Sequence, residues 1–320
     1  MAKVRKEVPD LVGSIDPDTI RVHAPTNVVF LCGGAMGDAE QPPKMLRDAF
    51  FRLSERRRPQ YAIILAEDAE PLTVAAGYGD LLSFESDIAQ VAGLIVLFVE
   101  SPGSLAELGA FAALKTVAPS LLAVLSEYHY SQISFVKNGP VKFLEDKYGD
   151  EWIVSLDADD VATEGGQITS IDDEVFYSTV ESVISERLRK LPRYAKLDKE
   201  SSGHVILCIT GLCQEYGALM ENEIRAFLKT LGISDERLKN LLYCAELLGW
   251  IKRIRKGHQV FYVGRTTSSA LDFNMKKDVP QKDKIRWRTD IRAFWREQER
   301  SRTKAISDAA DTVQAVDTVE

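Results

Sequence analysis

LIVLFV, residues 94–99, followed at once by ESPGSLAELGAF, residues 100–111, decides the fold. Six apolar residues without alternation read as a strand buried on both faces, the hallmark of a parallel sheet. Pro102 and Gly103 then break the chain, and Ser104 is placed to cap the helix that follows. Glu107 accordingly falls at about the third helical residue, within the first turn, where the helix dipole favours an ionised carboxylate. Free amides at such a terminus suit an anionic or hydroxyl-rich ligand. A deprotonated carboxylate beside a ligand-cradling turn is what attack on, or stabilisation of, an anomeric carbon requires. The plainer alternative is an acid that only complements the dipole.

Outward from this stretch the same grammar repeats. Further strands are expected at Val28 to Cys32, Tyr61 to Ala66, Leu121 to Leu125 and Trp152 to Ser155. Helices are expected at Lys44 to Arg56, Ser83 to Val91, Ser104 to Val117 and Gly139 to Tyr148. Alternation of this kind implies an α/β domain, a parallel sheet covered on both faces, over residues 27–195, with residues 1–26 as an N-terminal extension. Ligands bind such sheets at the carboxyl ends of the strands. That rule singles out Cys32, Gly33 and Gly34 in CGGAMG (32–37), whose amides suit a phosphate or ribose, then Glu67 and Asp68, and Glu100 to Gly103. Two glycines after a strand equally serve a tight turn. A helix from Asp172 to Leu191 closes the domain, and the polar stretch Pro192 to Gly203 reads as a linker.

Beyond it, His204 to Tyr216, Glu221 to Leu231 and Ser234 to Leu248 read as three helices, followed by a hairpin of Trp250 to Arg255 and Gln259 to Gly264 turning at Lys256 and Gly257. This order predicts a small winged helix-turn-helix over residues 196–272, with Ser234 to Leu248 as recognition helix and Ser234 as its N-cap. Arg237, Lys239, Lys252, Arg253, Arg255, Lys256 and Arg265 supply cations for phosphates or an acidic partner, and Tyr243, His258 and Tyr262 could stack on bases. The helix offers few groups to base edges, and winged helices also dock proteins. Residues 273–320 form a basic then acidic tail, with eleven Lys or Arg against five Asp or Glu between Lys276 and Lys304. Trp287, Phe294 and Trp295 suit either a grip on nucleic acid or an amphipathic helix packed on the domain.

The 320 residues carry a net charge of -8 and 45% hydrophobic content, enough for two domains with proper cores. No apolar run reaches the roughly 18 residues of a membrane span, and MAKVRKEVPD lacks a signal-peptide core, so a cytoplasmic location without membrane attachment is expected. Cys32, Cys208, Cys213 and Cys244 show no CxxC spacing and lie in apolar segments, as reduced core thiols do. The histidines His23, His129, His204 and His258 are scattered, so no metal site is expected.

CGG at 32–34, SFES at 83–86 and SPGSLAELGAF at 101–111 resemble the signature of the nucleoside deoxyribosyltransferase-like family. Within it the similarity is closest to the N-glycosidase effectors of bacterial retron anti-phage systems, which carry a winged helix-turn-helix behind the glycosidase domain. The resemblance covers most of residues 27–150 and, more loosely, 204–265. It implies a flavodoxin/Rossmann-like parallel sheet with Glu107 as the catalytic carboxylate. It also implies an acid on the preceding helix for the ribose hydroxyls, Glu85 in the retron-like pattern or Asp87 in the transferase pattern. Ser101, Gly103 and Ser104 belong to its ligand turn, and Asn138, before Gly139 and Pro140, resembles a loop near the pocket, or else simply starts a helix. Ser101 stands where the transferases carry an Asp that protonates the base. A neutral nucleobase is a poor leaving group without such an acid, whereas nicotinamide leaves NAD as a neutral molecule.

The resemblance therefore implies a toxin that hydrolyses NAD, with NAD as substrate and no cofactor. Its implied partners are a retron reverse transcriptase with its multicopy single-stranded DNA-RNA hybrid, in a homo-oligomer or higher assembly. The alternatives are a nucleoside deoxyribosyltransferase or nucleoside monophosphate hydrolase, and a nucleotide-sensing transcriptional regulator.

Overall fold

The continuous apolar runs VVFLC, LIVLF and LLAVLS become the three central strands of a parallel sheet, buried at every position. In the computed structural model, which describes residues 10–69, 72–164, 167–265, 268–280 and 282–317, these are β1 (Val28–Cys32), β3 (Leu94–Phe98) and β4 (Leu121–Ser126). The shorter edge strands β2 (Ala62–Leu65) and β5 (Ile153–Leu156) are only partly buried. All five pair in parallel in the order β2-β1-β3-β4-β5. The helices are α1 (Leu46–Arg57), α2 (Leu81–Ala89), α3 (Pro102–Ala113), α4 (Glu127–Ser131), α5 (Lys142–Tyr148) and α6 (Asp173–Lys190).

Alternation along the strands splits the core in two. Val29, Leu31, Val96, Phe98, Leu122 and Val124 share a cluster with Phe50 and Leu53 of α1 and Phe176, Val180 and Ile184 of α6. Helix α3 buries Leu108 and Phe111 and joins β3 to β4, so a right-handed crossover puts it on the opposite face from α1. Strand order reverses between β1 and β3, which opens a crevice at their carboxyl ends. An antiparallel hairpin of β6 (Val161–Glu164) and β7 (Gln167–Ile171) precedes α6 and was not expected.

The chain divides into two compact units, one of Thr26–Glu70 and Ile88–Leu191, the other of Met1–Pro25, Pro71–Asp87 and Pro192–Glu320. The second unit contains what the sequence presents as extension, linker and tail. Arg21–Val22 is the middle strand of an antiparallel sheet between Ala195–Lys196 and Leu271–Asp272, and the Leu11 amide donates to Tyr216 Oη at 3.1 Å. Leu11, Val12, Ile15, Ile20 and Val22 are all buried, so this segment has an apolar pattern of its own.

Helices α7 (Ser202–Tyr216), α8 (Glu221–Thr230) and α9 (Leu238–Leu247) precede the hairpin β9 (Ile251–Lys256) and β10 (Gln259–Gly264), to which β8 (Ala218–Leu219) adds. Three helices and a hairpin are thus present as expected, but α9 does not start at Ser234. The neighbouring Asp235 is held by Arg225 at 2.7 Å, and Arg237 occupies the cap position without a side-chain cap bond.

Two further helices, α10 (Lys284–Gln298) and α11 (Arg300–Asp317), turn the tail into core. Trp295 is fully buried and donates from Nε1 to Tyr216 O at 2.9 Å, and Trp287 meets the Tyr216 ring edge-on. Arg302 is likewise buried, bonded to Glu223 at 2.7 Å and lying 3.9 Å over the Trp295 ring. Trp295 is therefore a packing residue, and Trp287 packs against Tyr216. All four cysteines are buried, and among the described residues no helix is long and apolar enough to cross a membrane.

Candidate functional site

The crevice between β1 and β3 is built by two loops that the sequence shapes closely. Gly33 has φ +148, and a Cβ there would lie 2.9 Å from Phe98 Cβ and 3.0 Å from Phe98 O. At Gly34 a Cβ would meet Met45 Cε at 2.3 Å and Glu100 Oε1 at 2.9 Å. The two glycines let the loop press onto the end of β3. Gly33→Ala is expected to cost about 2–4 kcal/mol through strain and overpacking, read from urea denaturation. Gly103→Ala, where the nearest atom is 3.8 Å from the added Cβ, should be nearly neutral in the same experiment.

Glu100 explains what happens to the loop amides. Its carboxylate accepts from the N–H groups of Gly34 (3.1 Å), Leu46 (2.5 Å) and Arg47 (3.1 Å), tying the glycine loop to the N-terminus of α1. The Gly37 amide is taken by Asp48 at 3.1 Å. Two amides expected to wait for a ligand are thus satisfied internally, and Cys32 is buried. Burial still pushes the Glu100 carboxyl above its ordinary range, although three amides oppose the shift.

Across the crevice, Ser101 rather than Ser104 caps α3. Ser101 Oγ accepts from the Ser104 amide at 3.2 Å, and Ser104 Oγ accepts from the Glu100 and Ser101 amides at 2.9 Å each. Pro102 takes the first helical position, as it prefers to. Glu107 is therefore the sixth helical residue, in the second turn, and α3 has no acid in its first turn. The dipole helps it less than the sequence implies. Burial, the largest influence, raises the Glu107 carboxyl above its ordinary value; Arg47 lowers it and Glu67 raises it. Its Oε2 is buried and has no hydrogen-bond partner among the described residues.

Arg47, the second residue of α1, is 1% exposed. Its guanidinium grips the Glu67 carboxylate with both Nη groups, one at 3.0 Å, while its buried Nε has no partner among the described residues. Glu107, Arg47 and Glu67 thus form one electrostatic group, in which a buried carboxylate oxygen and a buried N–H both lack a partner among the described residues. The sequence singles out Glu107 and Glu67 but not Arg47. One signal was available: a cation in the first turn of a helix opposes the dipole and calls for another purpose.

The remaining expected residues go elsewhere. Asp68 accepts from the Leu65 amide at 3.1 Å and lines a separate cavity of about 270 Å³ beside Ser54 and Arg58. Asn138 lines one of about 590 Å³ at the ends of β4 and β5. Glu85 and Asp87 lie in the other unit. There Asp87, 1% exposed, accepts from Arg237 Nη2 at 2.5 Å and from Tyr78 Oη at 2.7 Å. Nearby, Asn240 Nδ2 donates to Ala76 O at 3.2 Å, and the Tyr243 ring meets Tyr78 and Phe84 edge-on. The segment 76–87 therefore packs on a face of α9, and Asp87 is held there by Arg237 and Tyr78. Asp87→Asn is expected to lower stability by about 1–3 kcal/mol and leave substrate KM unchanged. A raised KM at unchanged stability would make Asp87 a sugar ligand instead.

On the hairpin, Arg253 and Arg255 alternate onto the exposed face of β9, and Lys239 is exposed on α9. Lys252 is half-buried, Lys256 pairs with Asp308, and Arg265 has a buried Nε without a partner among the described residues.

A family model described as STM3845 retron effector protein matches residues 43–253, which include Arg47, Glu107, Asn138 and α9. Two curated relatives from Escherichia coli are similar to parts of the chain. One, named as the retron Ec86 ribosyltransferase/DNA-binding protein, is 32% identical over 117 residues, 36% of this chain and 36% of that protein. The other, named as the retron Ec73 ribosyltransferase/DNA-binding protein, is 33% identical over 133 residues, 38% of this chain and 40% of that protein. The chain thus spans well under half the length of either relative.

Proposed function

This chain belongs to the STM3845 retron effector family, and from that premise we propose that its α/β unit is an N-glycosidase that hydrolyses NAD to nicotinamide and ADP-ribose. The observation that carries this proposal is the Oε2 of Glu107, buried and without a partner among the described residues, beside the Arg47 guanidinium. A carboxylate without hydrogen bonds is poorly stabilised in the free protein and gains most when positive charge develops at an anomeric carbon. The bond from that carbon to the nicotinamide nitrogen breaks, its electron pair neutralises the pyridinium, and water adds to the sugar with loss of a proton. No acid is needed for the leaving group, in keeping with Ser101 serving only as a helix cap. Arg47 favours the ionised form of Glu107 against the effect of burial and offers its spare Nε–H to the substrate.

Within the retron, the C-terminal unit acts as a winged helix that docks on the reverse transcriptase and its DNA-RNA hybrid through Lys239, Arg253 and Arg255. The cover of residues 76–87 on α9 disfavours a regulator that reads a duplex through that helix. Co-expressing the chain with its retron components and following cellular NAD after phage challenge tests the proposal; NAD held constant while cells still die would sink it. The relatives' ribosyltransferase names favour a second reading, transfer of the ribosyl group to an acceptor other than water. Mass spectrometry separates the two by finding free ADP-ribose or a ribosylated acceptor.

A further inference from the structure

The cavity at the carboxyl ends of β4 and β5 is not used by the chemistry at Glu107. It is a solvent-open pocket of about 590 Å³, within the usual range of ligand pockets, and is lined by Glu127, Tyr130, Lys137, Asn138, Ser155 and Asp157 among others. Neighbouring strands lie about 4.8 Å apart, so β4 and β5 stand roughly 5 and 10 Å along the sheet from β3, whose end carries the Glu107 turn. Its charges are informative. Lys137, the only cation in the lining, is already neutralised by Glu145 at 2.9 Å and lies 3.5 Å over the Tyr130 ring. The carboxylates of Glu127 and Asp157 make a phosphate unwelcome there and suit sugar hydroxyls, as acids at strand ends do in dinucleotide-binding sheets. Asn138 stands in a π-helical turn, Lys137–Val141, a rare geometry that concentrates at functional sites.

We propose that this cavity is a subsite for a neutral ribonucleoside moiety, the adenosine end of a substrate whose other end reacts at Glu107. The carboxylates take the ribose hydroxyls, the Asn138 carboxamide takes the edge of the base, and the pyrophosphate runs along the sheet ends between the two sites. This rests on the N-glycosidase proposal and sharpens it, because it makes the protein select a dinucleotide over a nucleoside. Contacts held equally in the ground and transition states show as a change of KM with kcat unchanged.

The test is calorimetric titration of adenosine into the full chain, its Glu107→Gln variant and an Asn138→Ala/Asp157→Asn variant, beside base release from NAD and from nicotinamide riboside. Adenosine is expected to bind the first two alike and the double variant at least 10-fold more weakly. The double variant should raise KM for NAD by a similar factor and leave nicotinamide riboside unaffected. Absent adenosine binding, or binding indifferent to Asn138 and Asp157, overturns the subsite whether or not NAD is cleaved. Adenosine binding as expected with no cleavage of NAD by the chain assembled with its retron partners and triggered would instead overturn only the glycosidase proposal. A variant with a lowered melting temperature is replaced by Asn138→Asp, which keeps the size and reverses the donor pattern, with the same outcomes.

Discussion

Glu107→Gln is expected to lower nicotinamide release from NAD by at least about 1,000-fold while leaving the protein as stable as the wild type, or more so. The second half of that expectation follows from linkage. The folded-state pKa of Glu107 lies above its ordinary value of 4.5, with burial as the chief cause. Such a group favours the fold fully only below its unfolded pKa, and that contribution is lost as pH rises through the folded value. Gln fixes the neutral form, so its melting temperature at pH 7–8 should equal or exceed that of the wild type, with the difference closing towards pH 4. Loss of activity with loss of stability would instead mark Glu107 as structural.

Arg47→Met is expected to lower turnover on the order of 100-fold and to displace its pH dependence. Turnover needs Glu107 ionised, so its acid limb should already sit above the ordinary carboxylate range. Arg47 opposes that upward shift. Removing it lets burial act unchecked, so the acid limb moves to higher pH and the variant recovers activity as the medium is made more alkaline. Stability should change by only about 1 kcal/mol, because the Glu67 side chain is 52% exposed and regains water. A pH–rate profile parallel to that of the wild type would separate Arg47 from Glu107.

Much of this architecture is legible in the chain itself. The runs at 28–32, 94–98 and 121–126 are apolar on both faces, and only a covered parallel sheet accommodates them, so their ends are misplaced by a residue or so at most. The β6–β7 hairpin is harder, because VATE and QITSI carry little apolar alternation, although the glycine pair between them in the sequence is a turn signal. At α3 two serines three residues apart compete for the cap. Pro102, at home in the first helical position, decides for Ser101.

What the sequence could not yield are partners distant along the chain. Glu100 binds amides 54 and 66 residues away, Arg47 reaches Glu67 across 20, and Arg237 takes Asp87 across 150. The choice between Glu85 and Asp87 as sugar ligand is open from local pattern alone, since both sit on α2. The contact of Asp87 with Arg237 comes from a residue far along the chain. Likewise the tail reads as basic because its charges are visible, whereas the burial of Trp295 and Arg302 depends on surfaces of α7 and α8 that no local pattern reveals.

The most direct test of the whole account is to assemble the full chain with its retron partners, trigger it, and quantify nicotinamide and ADP-ribose formed from NAD by the wild type and by Glu107→Gln. Equal amounts of both products from the wild type and none from the variant are the expected result. NAD left intact by the wild type, or cleaved equally by both proteins, would contradict it.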